Sequence, residues 1–213
     1  MRGLYLVTPN WADTERLLAA TAAGLRGGAQ LVQYRNKEAD AALRLEQGAA
    51  LLALCRRYSV LLVINDWLDL CMILDADGVH LGGADGDLAY ARQVLGPRKI
   101  VGASCYGDVA LAVAAERAGA SYAAFGGFYP SPVKKYDFVT QPDLLVQAKA
   151  QLALPIVVIG GMTVVNAAPL VARGADMVAA ITSVAGAPDP ERAARAFAAL
   201  FVQPSHSLPP GST

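Results

Sequence analysis

The chain has 213 residues, 54% apolar and 17% charged, which suits one domain with a large core and excludes an intrinsically disordered chain. Lys plus Arg number 18 and Asp plus Glu number 18, so the net charge is zero and a protein built around a basic nucleic-acid face is excluded. A local cationic pocket for a phosphorylated small molecule is not.

Short apolar, β-branched runs alternate with Ala/Leu-rich amphipathic segments along the whole chain. In order, the pattern predicts a strand over 4–7, a helix over 14–26, a strand over 30–34, a helix over 41–57, a strand over 61–64 and a helix over 67–75. A strand over 78–81, a helix over 87–95, a strand over 100–103 and a helix over 108–118 follow. The last predicted pairs are strand 122–125 with helix 141–152, strand 156–159 with helix 165–173, and strand 177–180 with helix 191–201. The strand runs are continuously apolar, which marks parallel strands covered on both faces. Arg26-Gly27, Arg117-Ala118-Gly119 and Arg173-Gly174 each place a cation in a last helical turn and Gly just past it, the expected left-handed cap. Eight strands alternating with eight helices predict an α/β fold, a single (β/α)8 TIM barrel over residues 1–203, with a flexible tail over 204–213. An open doubly wound sheet is the alternative.

A long charge-free stretch runs from Leu152 to Ala172, but Pro155, Gly160, Gly161, Asn166 and Pro169 divide it into a strand and a helix start, so it does not read as a membrane span. The N-terminal apolar run is too short for a signal peptide. Cys55, Cys71 and Cys105 are odd in number and sit in apolar contexts, which reads as buried thiols in a reducing compartment. A cytoplasmic location is expected.

Barrels of this kind carry their chemistry on the loops after the strands, so the polar residues there are the candidates. After the second strand, Gln33, Arg35 and Lys37 alternate and share one face of extended chain, an arrangement suited to clamping a diphosphate. After the third and fourth strands come Asn65-Asp66 and Asp85. Two carboxylates on neighbouring rims could hold Mg²⁺, although Asp66 could instead cap the next helix and Asp85 serve a turn. Ser104 follows the fifth strand and could bond substrate or cap a helix. The long 126–138 connection reads as a lid, with Ser131 and Lys134 able to meet an anion. Gly160-Gly161 after the seventh strand and Ile181-Thr182 after the eighth suit a backbone phosphate cradle. His80 lies inside a strand and reads as a packed or hydrogen-bonded histidine. No HExxH, GxSxG or Walker A pattern is present.

Taken together, Gln33-x-Arg35-x-Lys37, Asn65-Asp66, Asp77-Gly78-Val79-His80-Leu81-Gly82, Gly102-Ala103-Ser104, Tyr129-Pro130-Ser131-x-x-Lys134, Gly160-Gly161-Met162-Thr163 and Gly174-Ala175-Asp176 resemble thiamine-phosphate synthase over nearly the whole chain. The resemblance implies a Mg²⁺-dependent transferase that joins an aminopyrimidine methyl diphosphate to a thiazole phosphate. It implies that Gln33, Arg35, Lys37 and Asn65 bind the diphosphate and that Asp66 and Asp85 hold the metal. Ser104 would then contact the departing pyrophosphate or the pyrimidine. Ser131, Lys134, Gly161, Ile181 and Thr182 would serve the thiazole phosphate or the released pyrophosphate. Arg35, Lys37, Ser104 and Lys134 are the expected catalytic contacts. The partners implied are the two small molecules, without nucleic acid or membrane, and with a homodimer as a possible assembly. Four positions depart from the pattern: Gly83 where Gln is common, Gly127 where Pro is common, Val133 for Thr and Thr182 for Ser.

Three other readings compete. A thiazole tautomerase-like barrel would not need the clamp. A non-catalytic precursor binder would bind without turnover. An aldolase-like barrel would use Lys134 as a Schiff-base lysine, against its place on a lid.

Overall fold

The computed structural model describes residues 1–83, 85–130 and 137–202. Ser131, Val133, Lys134 and the tail expected over 204–213 lie outside the described residues.

Eight parallel strands close into a barrel in chain order: β1 (Gly3–Val7), β2 (Ala29–Tyr34), β3 (Leu61–Asn65), β4 (Gly78–Leu81), β5 (Ile100–Tyr106), β6 (Tyr122–Phe125), β7 (Ile156–Ile159) and β8 (Met177–Ala180). The ring is completed where β8 pairs with β1, Leu4 opposite Val178. Around it lie α1 (Thr14–Arg26), α2 (Ala41–Arg57), α3 (Leu68–Leu74), α4 (Leu88–Leu95), α5 (Val109–Arg117), α6 (Leu144–Gln151), α7 (Val164–Ala172), α8 (Thr182–Ala185) and α9 (Pro190–Ala199). The predicted barrel is therefore closed rather than an open sheet. Among the described residues, no helix is long and apolar enough to cross a membrane.

Strand alternation sorts the core into two sets. Leu4, Leu6, Val32, Ile64 and Val101 face the helices. Tyr5, Leu31, Val63, Tyr122 and Met177 fill the barrel interior. Both faces of the strands are covered apart from positions near strand ends such as Gln30, Leu61 and Tyr106, which is why the strands read as largely unbroken apolar runs. Burying each such side chain contributes about 1.5–3 kcal/mol.

Much of the acidic charge secures helix starts. Asp13, Asp40, Asp87, Asp108 and Asp189 each accept a backbone N–H in the first turn of α1, α2, α4, α5 and α9, caps worth ~1 kcal/mol apiece. Asp77 and Asp176 work at the opposite end of the barrel. Asp77 accepts the N–H of Leu62 (2.8 Å), and Asp176 accepts that of Ile156 (2.7 Å) and the ammonium of Lys149 (2.5 Å). Polar residues at the strands' N-terminal ends hold the sheet together rather than meeting substrate.

Three differences from the sequence reading have local causes. β5 runs to Tyr106 instead of ending at Ala103, because Ser104 and Tyr106 still pair with β6 across an irregular register. Ser104 is thus inside the strand. The short α8 goes unpredicted, as four residues carry no helical periodicity. In the first helix cap the left-handed residue is Gly28 (φ 99°), while Gly27 stays helical (φ −75°).

Candidate active site

A line of buried polar groups crosses the barrel interior. The side-chain amide of Gln33 donates to the Tyr5 hydroxyl (2.7 Å), which bonds the Tyr122 hydroxyl (2.7 Å). Tyr122 meets His80 Nδ1 (2.8 Å), and His80 Nε2 meets Ser104 Oγ (2.9 Å). The Tyr5 and Tyr122 rings stand edge to face at 5.7 Å, while His80 lies nearly parallel to Tyr122. β1 and β6 are not neighbours in the sheet, so this contact spans the lumen. Burial pushes both phenols well above the ordinary tyrosine value. His80 is hydrogen-bonded and 5% exposed, as its place inside a strand predicts.

Above this line opens a cavity of ≈ 390 Å³ lined by Lys37, Asn65, Asp66, His80, Gly82, Asp85, Ser104, Tyr106, Asp137 and Phe138. Lys37 Nζ lies 2.9 Å from the Asp66 carboxylate. The Asp66 carboxyl is raised above its ordinary value, first by burial, against the pull of Lys37 and with the push of the nearby Asp85 carboxylate. Asp66 holds a left-handed backbone (φ 66°) and donates its N–H to the His80 carbonyl oxygen (2.8 Å). It is not a helix cap: α3 opens at Trp67 with no side-chain bond. Asp85 does serve its turn, accepting the Gly82 N–H (3.0 Å), and it also faces the cavity. Ser104 is likewise released from capping, since Asp108 caps α5. The Asn65 amide nitrogen is buried without a hydrogen-bond partner among the described residues. Such a donor costs about 1–3 kcal/mol until an acceptor reaches it.

The three residues of the proposed clamp take different places at the end of β2. Lys37 lines the cavity, whereas Gln33 and Arg35 are not among its lining residues. Gln33 turns into the barrel, 4% exposed. Gln33 follows Leu31 on the interior face of β2, whereas Arg35 and Lys37 lie past the strand's end at Tyr34, where alternation no longer sets their direction. Arg35 sits at the rim, its Nη1 bonded to Asn10 Oδ1 (3.0 Å), and the same oxygen accepts the Lys37 N–H (3.3 Å). Asn10 follows β1, where loop position alone would have singled it out.

On the opposite side, β7 and β8 are paired, which brings Gly160-Gly161 beside Ile181-Thr182. Gly161 has φ 61°, and a Cβ there would lie 2.2 Å from the Pro130 carbonyl oxygen, so the start of the 126–138 connection packs directly on it. Thr163 and Asn166 cap α7 reciprocally. α8 opens at Ile181 without a side-chain cap. The base of the 126–138 connection is tied by Thr140, whose hydroxyl donates to the Gly126 carbonyl oxygen (2.6 Å). Gly127 has φ 81°, which a proline could not adopt, and its missing Cβ makes room for Phe138. The N–H of Gly83 donates to the Tyr106 hydroxyl (3.0 Å). Tyr106, Asp137 and Phe138 are cavity residues that the sequence reading did not single out.

A family model described as thiamine monophosphate synthase matches residues 4–184. The chain belongs to the thiamine-phosphate synthase family. A thiamine-phosphate synthase of Janthinobacterium sp. (strain Marseille) is 60% identical over 203 residues, 95% of this chain and 98% of that protein. One from Thiobacillus denitrificans is 50% identical over 199 residues, 93% and 94% of the respective chains. The solved thiamine phosphate pyrophosphorylase from Pyrococcus furiosus superposes with a TM-score of 0.83 at 31% identity, covering 93% of this chain and 95% of its own. Membership of the thiamine-phosphate synthase family makes the chain a transferase of thiamine biosynthesis. It disfavours the tautomerase-like and non-catalytic alternatives.

Proposed function

We propose that the chain joins 4-amino-2-methyl-5-pyrimidinylmethyl diphosphate to a thiazole phosphate, giving thiamine phosphate and pyrophosphate. The observation that carries this reading is the cavity in which Lys37, Asp66 and Asp85 meet beside the Ser104 hydroxyl and the Asn65 amide nitrogen, which has no hydrogen-bond partner among the described residues. Lys37 and Arg35, linked through Asn10, suit the diphosphate. Asn65 would donate to one of its oxygens.

Asp66 and Asp85 fit Mg²⁺. Their mutual repulsion in a half-buried site is relieved by a divalent cation with oxygen ligands. Bound there, Mg²⁺ would neutralise the diphosphate and make it a better leaving group. The reaction breaks the bond between the pyrimidine methylene and the diphosphate oxygen, whose electron pair leaves with pyrophosphate. The thiazole nitrogen then supplies the pair for the new C–N bond. The chain's part is to hold the departing charge with Lys37, Arg35, Asn65 and Ser104, without a protein nucleophile. Gly161, Ile181 and Thr182, with Ser131 and Lys134, would receive the thiazole phosphate. Three buried free thiols support a cytoplasmic location.

Incubating folded protein with both precursors should yield thiamine phosphate with Mg²⁺ present and little without it. No product under either condition would overturn the reading.

A further inference from the structure

We infer that Tyr5, Tyr122 and His80 are positioning residues: with Gln33 they form a one-way hydrogen-bond chain that protonates His80 on Nε2 and turns the Ser104 hydroxyl outward as a donor to the pyrimidine diphosphate. What Ser104 faces rests on the reaction proposed above; the direction of the chain does not.

The direction follows from the number of protons each group owns. The Gln33 amide nitrogen can only donate, so the Tyr5 oxygen accepts there. Tyr5 has one proton, and the acceptor within its reach among the described residues is the Tyr122 oxygen at 2.7 Å, so Tyr5 donates there rather than leave a buried proton unpaired. Tyr122 then has its own proton for His80 Nδ1 at 2.8 Å. With Nδ1 accepting, a neutral imidazole carries its proton on Nε2, which donates to Ser104 Oγ at 2.9 Å. Ser104 has received a hydrogen bond from below, so its own proton points into the cavity it lines. Burial holds both phenols far above their ordinary value, so neither loses the proton the chain requires. The geometry is built for this purpose at Gly102, where a Cβ would lie 2.2 Å from the Tyr122 hydroxyl and ring. Only glycine at that point of β5 lets the phenol reach across the lumen. A buried polar chain is costly unless every member is satisfied, and this one ends at the mouth.

The test reads His80 directly. The chain has two histidines, and His206→Gln leaves His80 as the only imidazole. Nitrogen-15 NMR of labelled histidine should show Nε2 protonated and Nδ1 bare. Gln33→Glu offers Tyr5 an acceptor in place of the donor and should reverse the chain, moving the proton to Nδ1. A protonated Nδ1 in the His206→Gln protein, or the same tautomer in both proteins, overturns the inference. Kinetics give a second readout. Tyr122→Phe should lower kcat about tenfold, the scale of one lost hydrogen bond, with KM for the diphosphate within about twofold. In a Ser104→Ala background the same substitution should change kcat less than about twofold. An undiminished effect there would show that the chain does not act through Ser104. Failure of the wild-type protein to make thiamine phosphate would sink the assigned reaction and leave the NMR result to judge the chain.

Discussion

Gly102→Ala is the sharpest perturbation of the barrel interior. The added methyl would lie 2.2 Å from the Tyr122 Cζ and hydroxyl and 2.7 Å from Cε1, inside any permitted contact distance. Neither side can yield cheaply. Gly102 is in β5, paired on both edges with His80 and Tyr122, and Tyr122 is bonded to Tyr5 and His80. Overpacking of this kind costs ~1–3 kcal/mol. Moving the ring breaks two buried hydrogen bonds at about 1 kcal/mol each. The sum is about 3–5 kcal/mol, a large part of the ~5–15 kcal/mol that stabilises a typical domain. Thermal unfolding should show Tm lowered by roughly 10 °C, and urea denaturation a lower midpoint at unchanged slope. The double variant Gly102→Ala/Tyr122→Leu separates steric from other causes. Removing the ring should cut the cost of the alanine by about 2 kcal/mol, a coupling expected of residues in contact. A loss below about 1 kcal/mol for Gly102→Ala alone, or strict additivity with Tyr122→Leu, would refute the argument.

Further outcomes follow from the rim and the thiols. Arg35→Ala should lower kcat/KM about a hundredfold or more, measured by thiamine phosphate formation, with far-UV circular dichroism unchanged. Asp85→Asn should raise the Mg²⁺ concentration for half-maximal activity at least about tenfold, and chelation should stop the wild-type protein reversibly. Gly161→Ala pushes on the Pro130 carbonyl and should raise KM for the thiazole phosphate more than for the diphosphate, read from separate substrate titrations. Burial raises the thiols of Cys55 and Cys105 to about 12 and that of Cys71 to about 11. Iodoacetamide at pH 8 should leave all three unmodified by mass spectrometry until urea unfolds the chain. The unfolded thiols ionise first, so their contribution to stability is complete below about pH 9 and declines as pH climbs toward their folded values. Melting temperatures across that alkaline range check the sign.

The eight strands, the longer helices, their order and several residues of the cavity were legible in the amino-acid sequence alone. Strand runs were unbroken because the closed sheet is covered on both sides, and α1 and α2 begin and end where the periodicity places them. Lys37, Asn65, Asp66, Asp85 and Ser104 could be found because each lies near the C-terminal end of an apolar run, where this architecture exposes polar groups. Only tertiary structure decided what those groups do to one another. Closing the ring brought Tyr122 to Tyr5 across 117 residues, and no local pattern records a contact between strands that are not neighbours. Closure also set the inward-facing Gln33 against Tyr5 of the neighbouring strand, a contact that the spacing of Gln33, Arg35 and Lys37 does not record. Local sequence sets which face a side chain leaves the backbone by. Which groups share that space depends on how the sheet twists and closes, and so the buried chain to Ser104 appeared only in three dimensions.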